Sequence, residues 1–349
     1  MAGWQSGYAA ACKAVYAGSI PASASRKAMD KILITGAAGF IGSHLSKRLL
    51  MEGHSILGLD NMNLYYEQSL KQDRLKRLES FKRFSFEKID ISNKENLLSA
   101  SKKFKPNIII NLAAQAGVRY SLENPDSYLT SNLIGFHNIL ETSKIIKPEI
   151  LVYASSSSVY GGNSLVPFSE LQDTSNTISL YAATKKSNEV MANSLSANYG
   201  IKTIGLRFFT VYGPWGRPDM AYYSFVNNLM KNKPITIFND GNMSRDMTFI
   251  DDIIDGISAA INLKNSNTIN SEIFNLGNSH PVSLSELIKY IEDYFNQRFN
   301  IQYKNVSGEV EVTFADLSHS NSVLGYSPKT NFELGMDSFL EWYKEYYKL

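Results

Sequence analysis

The fold is decided by the stretch KILITGAAGFIGSHLSKRLL, residues 31–50. Its apolar opening, KILIT, is typical of a buried strand, and its second half has the apolar spacing of an amphipathic helix. Gly36, Gly39 and Gly42 lie between the two. Glycines at such a junction permit a tight turn, a close approach of backbone to a pyrophosphate, and close packing of helix on strand. Since a helix amino terminus also attracts phosphate, the stretch predicts a dinucleotide-binding βαβ unit.

Beyond this stretch, short apolar segments alternate with helix-like segments along the chain. The further strand candidates are SILGLD, FSFEKID, NIIINLAA, EILVYASS and KTIGLRFF. This alternation predicts an α/β fold, a Rossmann-type doubly wound parallel sheet, because nearly continuous apolar runs suit strands covered on both faces. After about residue 210 the rhythm changes to loops and shorter helices. We therefore expect residues 29–208 to form the dinucleotide-binding domain, with a return to it near 247–279, and residues 209–349 mainly a smaller C-terminal α/β substrate domain.

Composition limits the classes of function. The chain has 349 residues, 44% of them hydrophobic and 19% charged, which is enough to bury a full core. No apolar run approaches the roughly 18 to 20 residues of a membrane-spanning helix, and a net charge of +2 argues against a nucleic-acid partner. The single cysteine, Cys12, leaves no thiol from residue 29 onward. We expect a soluble, cytoplasmic protein without disulfides or a metal site.

Residues 1–28 differ from the rest of the chain. They contain Lys13, Arg26 and Lys27 but no acidic residue, and a lysine interrupts the segment that a signal peptide would need to keep apolar. GSIP and WQSG can be encoded by nucleotides that resemble the T-loop and D-loop of a transfer RNA gene. We expect residues 1–28 to be a non-native or disordered extension, and Met29 to be the start of the native protein.

An acidic residue lies at the end of the predicted strand that follows the glycine triplet. Asp60 ends the next predicted strand, 18 residues past Gly42. A carboxylate there accepts hydrogen bonds from ribose hydroxyls and repels a 2′-phosphate, which favours NAD over NADP; alternatively, Asp60 only caps a turn. Asp90 and Ile91 end the third strand, and Leu112, Ala113 and Ala114 end the fourth, where small residues let the backbone lie against a cofactor or simply pack at a strand end. The predicted cofactor contacts are Gly36, Gly39, Phe40, Ile41, Gly42, Asp60, Asp90, Ile91, Leu112, Ala113, Ala114, Tyr181 and Lys185.

The catalytic candidates lie in SLYAATKK. Tyr181 and Lys185 are four residues apart, so both lie on one face of a helix. An ammonium beside a phenol lowers the pKa of the phenol and makes it a usable general base near neutral pH. Tyr181 is the only one of the 20 tyrosines with a lysine at this spacing. The preceding strand ends in four serines, Ser155 to Ser158, whose hydroxyls can bridge the phenol and a substrate hydroxyl.

The glycine triplet, SSSSVYG and YAATK, in this order, resemble the extended short-chain dehydrogenase/reductase family, and within it the nucleotide-sugar epimerases, over residues 29–349. The resemblance implies that Ser156, Tyr181 and Lys185 are catalytic and that the cofactor is NAD. It further implies that Tyr181 takes a proton from the sugar 4-hydroxyl while hydride passes to NAD, and that the 4-keto sugar is then reduced on its other face. It also implies a homodimer through the helix that bears Tyr181.

The later loop RFFTVYGPWGRPDM, residues 207–220, resembles that of UDP-glucuronate 4-epimerases, as does NLYYEQSLKQDRLKRL after Asp60. Serines at 157 and 158 replace the acidic pair of dehydrating relatives, so dehydration is not expected. The resemblance implies that Thr210 and Arg217 hold the substrate carboxylate and that Arg245 binds the diphosphate. The predicted substrate contacts are Ser156, Ser157, Thr210, Arg217, Arg245 and Arg119, the last as a further carboxylate candidate.

These features predict conversion of UDP-glucuronate to UDP-galacturonate, which would supply a surface polysaccharide. Two alternatives remain open. The sugar is UDP-N-acetylglucosamine or UDP-glucose if Arg217 is only a structural loop residue. In a different class, the chain is a non-catalytic NAD-binding sensor or scaffold, although such proteins commonly lose the tyrosine or the lysine.

Overall fold

The computed structural model describes residues 29–238, 241, 243–304 and 311–349. The predicted extension, residues 1–28, lies outside the described residues. The strands are β1 (Lys31–Thr35), β2 (Ser55–Asp60), β3 (Phe84–Lys88), β4 (Ile108–Asn111), β5 (Ile150–Ser156), β6 (Thr203–Phe208), β7 (Thr210–Tyr212), β8 (Ile235–Phe238), β9 (Ser244–Phe249), β10 (Ser271–Leu276), β11 (Pro281–Ser283), β12 (Ile301–Lys304) and β13 (Val312–Thr313).

The helices are α1 (Phe40–Met51), α2 (Gln68–Glu79), α3 (Lys94–Phe104), α4 (Tyr120–Glu123), α5 (Pro125–Tyr128), α6 (Phe136–Ile146), α7 (Leu180–Tyr199), α8 (Ala221–Met230), α9 (Ile250–Asn262), α10 (Leu284–Phe295), α11 (Ser318–Leu324) and α12 (Phe332–Tyr347). A π-helical turn, Leu129–Gly135, joins α5 to α6, and short 3₁₀ turns cover Ser157–Tyr160 and Leu263–Asn265. Across the described parts of the chain, no helix is long and apolar enough to cross a membrane.

A seven-stranded parallel sheet in the order β10-β6-β5-β4-β1-β2-β3 forms the centre of the molecule. Ile32, Leu33 and Ile34 of β1 are completely buried, as expected for a central strand with helices on both faces. Strand order reverses beside β1, because β2 follows on one side and β4 on the other. Ligands of such sheets bind at the carboxyl ends of the strands beside this reversal. The prediction of a doubly wound parallel sheet is confirmed.

A second group of strands lies after β6. There β9 pairs with β7, β11 and β13, while β8 and β12 form a separate parallel pair. The chain then returns to the main sheet, since β10 pairs with β6 along its whole length. Helix α12 packs an aromatic face on α8, with Phe339 and Tyr223 ring centroids 5.7 Å apart. The predicted domain boundaries themselves remain a prediction.

Candidate active site

The carboxyl ends of the central strands open into one cleft of about 750 Å³. Every site residue predicted from the sequence lines it. These are Gly36, Gly39, Phe40, Ile41, Gly42, Asp60, Asp90, Ile91, Arg119, Leu112, Ala113, Ala114, Ser156, Ser157, Tyr181, Lys185, Thr210, Arg217 and Arg245. The fold thus brings together residues more than 200 positions apart, while their individual roles remain predictions.

The glycine loop has no room for side chains. Gly36 has φ +71°, and a Cβ there would lie 2.9 Å from the Ala113 nitrogen. A Cβ on Gly42 would lie 2.1 Å from the Gly36 carbonyl oxygen. The loop therefore lies directly on the end of β4, and no side chain caps the amino end of α1. An exposed backbone at an uncapped helix start fits the pyrophosphate of a dinucleotide.

Asp60 lies beside this loop at the end of β2. Its carboxylate accepts hydrogen bonds from the backbone nitrogens of Ala38 (3.2 Å) and Met62 (2.8 Å). Burial raises the pKa of Asp60, and these two bonds together with the charges of Lys71 and Arg74 oppose the rise. Asp60 both caps a turn and faces the cleft, so the two readings of this residue are compatible. Its position suits a partner for ribose hydroxyls.

Tyr181 lies in the first turn of α7, which begins where the Ser179 hydroxyl accepts a hydrogen bond from the Ala182 nitrogen. Burial raises the pKa of Tyr181, while a hydrogen bond with Ser156 and the positive charge of Arg217 lower it. Lys185, expected to lower this pKa, instead donates to the Ala154 carbonyl at 2.8 Å. That part of the sequence interpretation is wrong for this arrangement, because desolvation outweighs the neighbouring charges.

Lys185 is itself affected by burial. It is 2% exposed, and burial lowers its pKa to about 8, while the charge of Glu189 opposes the shift. Glu189 lies one turn further along α7 and was not foreseen as a site residue. Its carboxylate accepts hydrogen bonds from Ser155 (2.7 Å) and from Nε and Nη2 of Arg207 (2.8 and 2.9 Å). The sequence signal was an arginine inside the apolar strand KTIGLRFF, since a buried cation requires a partner.

Asn132 is a second unforeseen residue. It lies buried in the π-helical turn, where its side chain donates to the Gln115 carbonyl (2.9 Å) and to the Thr184 hydroxyl (3.0 Å). Its own carbonyl accepts a hydrogen bond from the Asn188 side chain at 2.7 Å. These bonds fasten α7 to the loop after β4, and π-helical turns are frequent at functional sites. The apolar pattern of the sequence carries no signal for such a turn.

The loop of residues 213–219 contributes Arg217 and Asp219 to the lining of the cleft. Gly213 and Trp215 have φ of +139° and +62°. The Arg217 guanidinium is one-quarter exposed and is paired through Nε and Nη2 with the Asp219 carboxylate. Tyr65 donates to the same carboxylate at 3.3 Å. Because the charge of Arg217 acts on the pKa of Tyr181, the loop places a fixed cation near the candidate base.

Arg245 and Arg119 line other parts of the cleft. Arg245 lies in β9, where Nη1 donates to the backbone carbonyls of Ser244 (3.0 Å) and Glu311 (3.2 Å). Arg119 lies exposed in the turn before α4. The cleft therefore carries positive charge at separate points along its length, as an elongated anionic ligand requires.

The parallel sheet, the glycine loop at its reversal point and the cleft that holds Asp60, Tyr181 and Lys185 are features of a dinucleotide-dependent enzyme of the short-chain dehydrogenase/reductase type. Residues 32–277 match the NAD dependent epimerase/dehydratase family. The chain belongs to this family, and its cofactor is NAD.

Individual relatives match over most of the chain. Protein CapI of Staphylococcus aureus is 44% identical over 91% of this chain and 99% of its own length. UDP-glucuronate 4-epimerase 4 of Arabidopsis thaliana is 44% identical over 90% of this chain and 76% of its own length. Among solved structures, UDP-glucuronic acid 4-epimerase from Bacillus cereus in complex with UDP-glucuronic acid and NAD has a TM-score of 0.84 at 35% identity. That match covers 91% of this chain and 100% of the Bacillus chain.

Proposed function

We propose that the protein is a UDP-glucuronate 4-epimerase, which interconverts UDP-glucuronate and UDP-galacturonate through a transient 4-keto sugar. One observation carries the proposal above the others. The guanidinium of Arg217, suited to a carboxylate, lies in the same cleft as the Tyr181 phenol and close enough to lower its pKa. A candidate base for the sugar 4-hydroxyl and a cation suited to a carboxylate therefore line one cleft.

In the proposed reaction Tyr181 is the general base. Its phenolate takes the proton of the sugar 4-hydroxyl, and the Ser156 hydroxyl, hydrogen-bonded to the phenol, orders the two oxygens. Lys185, anchored on the Ala154 carbonyl, supplies an ammonium to the same cleft. NAD, when bound, supplies the hydride acceptor and donor at the sugar C4. Because the sugar C4 would be oxidised and then reduced again, the proposed reaction has no net oxidation and would consume no NAD.

The carboxylate of the 4-keto sugar must be held in a fixed orientation during this reaction. A 4-keto glucuronate is a β-keto acid, which loses carbon dioxide when its carboxylate bond stands perpendicular to the ketone plane. A planar guanidinium fork can hold a carboxylate in one orientation. We assign the role of holding the sugar carboxylate to Arg217 and to the Thr210 hydroxyl at the start of β7, with Arg119 as a further candidate contact. Ser157 contacts the sugar, and Arg245 contacts the diphosphate.

The competing sugars lack this charge. UDP-glucose and UDP-N-acetylglucosamine carry a neutral hydroxymethyl group where glucuronate has its carboxylate, so Arg217 would gain no ionic partner from them. A non-catalytic sensor would not need both Tyr181 and Lys185 in the cleft. Both alternatives are therefore less well supported by the residues in the cleft.

The deciding experiment incubates the protein separately with the three UDP-sugars and resolves the product epimers by chromatography. We expect UDP-galacturonate from UDP-glucuronate, without added NAD, and much slower or no turnover of the neutral sugars. A preference for either neutral sugar would refute the substrate assignment. Retained NAD with no turnover of any sugar would instead support the sensor.

We further propose a cytoplasmic homodimer that serves polysaccharide biosynthesis. Apolar side chains are exposed on α7 and on the helical segments before it: Leu122 of α4 (77% exposed), Ile134 of the π-helical turn (53%), Ile145 of α6 (50%) and Val190 of α7 (60%). A second copy packing against these helices would cover apolar surface. Sedimentation analysis should give twice the mass of the chain, and Val190→Glu should give a monomer.

A further inference from the structure

We propose that Arg74 of α2 is a positioning residue, which sets the placement of Arg217 and links it to the glycine loop. The inference rests on the proposed function, since it gives Arg74 a part in recognising the sugar carboxylate through Arg217. Arg74 itself has no direct contact to offer a substrate, because its side chain is completely buried.

The guanidinium of Arg74 joins two loops that are far apart in the sequence. Its Nε and Nη2 donate to the Trp215 carbonyl at 3.0 and 2.6 Å, and Nη2 also donates to the Gly216 carbonyl at 2.7 Å. Its Nη1 donates to the Ala38 carbonyl of the glycine loop at 3.2 Å. Only the five-donor fork of arginine can make this set of bonds from one side chain. Arg74 therefore holds both Gly216, the residue immediately before Arg217, and the glycine loop.

The neighbouring carbonyl is held in the same way. His44 of α1 hydrogen-bonds through Nε2 to the Pro214 carbonyl at 3.0 Å. Burial lowers the pKa of His44 to about 3, so the imidazole is neutral and acts as a single donor. Three successive carbonyls, 214 to 216, are thus bound by side chains of α1 and α2. Backbone held at three consecutive points has little freedom to reorient.

The conformation of Trp215 shows that these bonds oppose strain. Its φ of +62° lies in the left-handed region, which bulky residues rarely occupy unless their surroundings impose it. The indole ring is fixed as well, by the Arg77 guanidinium at 4.6 Å and by the rings of Trp342 and Tyr346 at 5.3 and 5.2 Å. Without Arg74, the backbone at Trp215 would relax out of the left-handed conformation, and Arg217 would move with it.

Arg217 depends on such placement. Asp219 occupies the Nε edge of its fork, so the opposite edge is the one that a second carboxylate can engage. A small rotation of the loop would turn this edge away from the sugar. Loss of Arg74 should therefore weaken recognition of the carboxylate and leave the uridine diphosphate contacts largely intact.

The test compares Arg74→Lys and Arg74→Gln with the wild-type enzyme, each loaded with NAD. Lys76→Gln, which removes a charge from the exposed side of the same helix, is the matched control. Calorimetry measures the Kd of UDP-glucuronate and of UDP, which lacks the sugar. We expect Arg74→Lys to raise the Kd of UDP-glucuronate by about tenfold or more and that of UDP by less than about threefold.

A double-mutant cycle separates positioning from general damage. If Arg74 acts through Arg217, then Arg74→Lys should add little to the effect of Arg217→Lys. Additive effects, or an equal loss of affinity for UDP and UDP-glucuronate, would overturn the proposal. Wild-type enzyme that binds UDP-glucuronate no better than UDP would refute the proposed function instead.

A measurement on the unaltered protein covers the case in which the Arg74 variants do not fold. Removal of NAD should speed hydrogen exchange of the backbone amides of residues 215–217, because the Ala38 carbonyl that shares Arg74 lies in the cofactor loop. Amides of α11, none of whose residues lines the cleft, serve as the reference. Equal exchange with and without NAD would contradict the link between the two loops.

Discussion

Replacement of Glu189 by glutamine tests how much the buried Glu189–Arg207 ion pair contributes to stability. Glu189 and Arg207 side chains are each 4% exposed, and their contacts are bidentate at 2.8 and 2.9 Å. Removing one partner of a buried pair leaves the other charge uncompensated, which costs about 3–5 kcal/mol. Because glutamine keeps the shape of the side chain and one acceptor for the Ser155 hydroxyl, we expect the loss of unfolding free energy to lie at the lower end of this range, about 3 kcal/mol.

Urea denaturation of the NAD-loaded enzyme measures this loss. With a slope of about 3 kcal/mol/M for unfolding, the midpoint should fall by about 1 M. Lys186→Gln is the control, because Lys186 lies 3.5 Å from the same carboxylate but is one-third exposed, and exposed pairs contribute about 0–1 kcal/mol. A midpoint that falls no further for Glu189→Gln than for the control would refute the reasoning.

The same substitution should change the pH dependence of activity. The pKa of Lys185 is about 8, and the Glu189 charge keeps it from falling further. Lys185 is an ammonium below this pKa and loses its charge as pH rises through it. Because Lys185 is a predicted cofactor contact, loss of this charge should weaken the placement of NAD, and wild-type activity should decline above about pH 8. Loss of the Glu189 charge lowers the pKa of Lys185, and the alkaline limb of the profile should move to lower pH. An alkaline limb that stays in place or moves to higher pH would contradict this role.

Three further changes test the remaining parts of the cleft. Tyr181→Phe should reduce the rate of epimerisation by about 10²–10⁴-fold, as for loss of a general base; full activity would exclude Tyr181 as the base. Gly42→Ala should lower NAD content, because its Cβ would lie 2.1 Å from the Gly36 carbonyl, whereas Gly162→Ala, whose nearest neighbour is 3.6 Å away, should not. Arg217→Ala should raise the KM for UDP-glucuronate and produce UDP-pentose by decarboxylation, and kinetics identical to wild type would show that Arg217 is not the carboxylate partner.

Much of the fold was predictable because the central strands of the main sheet are nearly continuous apolar runs, although the edge strand β3, FSFEK, departs from this pattern. All six strand candidates from KILIT to KTIGLRFF are strands of the main sheet. Local patterns sufficed there, since a strand covered on both faces has almost only apolar positions. The edge strand β10 had no comparable pattern, and only its approximate segment was foreseen.

The site was predictable where a short motif fixes the geometry. The glycine loop and the Tyr181–Lys185 pair are local, and the structure brings both into one cleft. The contacts of Glu189, Asn132 and Arg74 were not foreseen, because each depends on partners brought together only by tertiary packing. Arg74, for example, lies 141 residues before Trp215. The direction of the Tyr181 pKa shift was also missed, since burial cannot be read from residue spacing.

The partners of the buried and half-buried arginines show which of them can serve a substrate. Arg207 is neutralised by Glu189, and Arg74 is held by backbone carbonyls at both ends of its fork, so neither can release its bonds without a large desolvation cost. Arg217 differs, because its partner Asp219 is also one-quarter exposed and occupies one edge of the guanidinium. A carboxylate arriving from the cleft can therefore share Arg217 with Asp219 without stranding a buried charge. Selection for an acidic sugar thus follows from where the fold places its counter-ions as much as from the presence of the arginine itself.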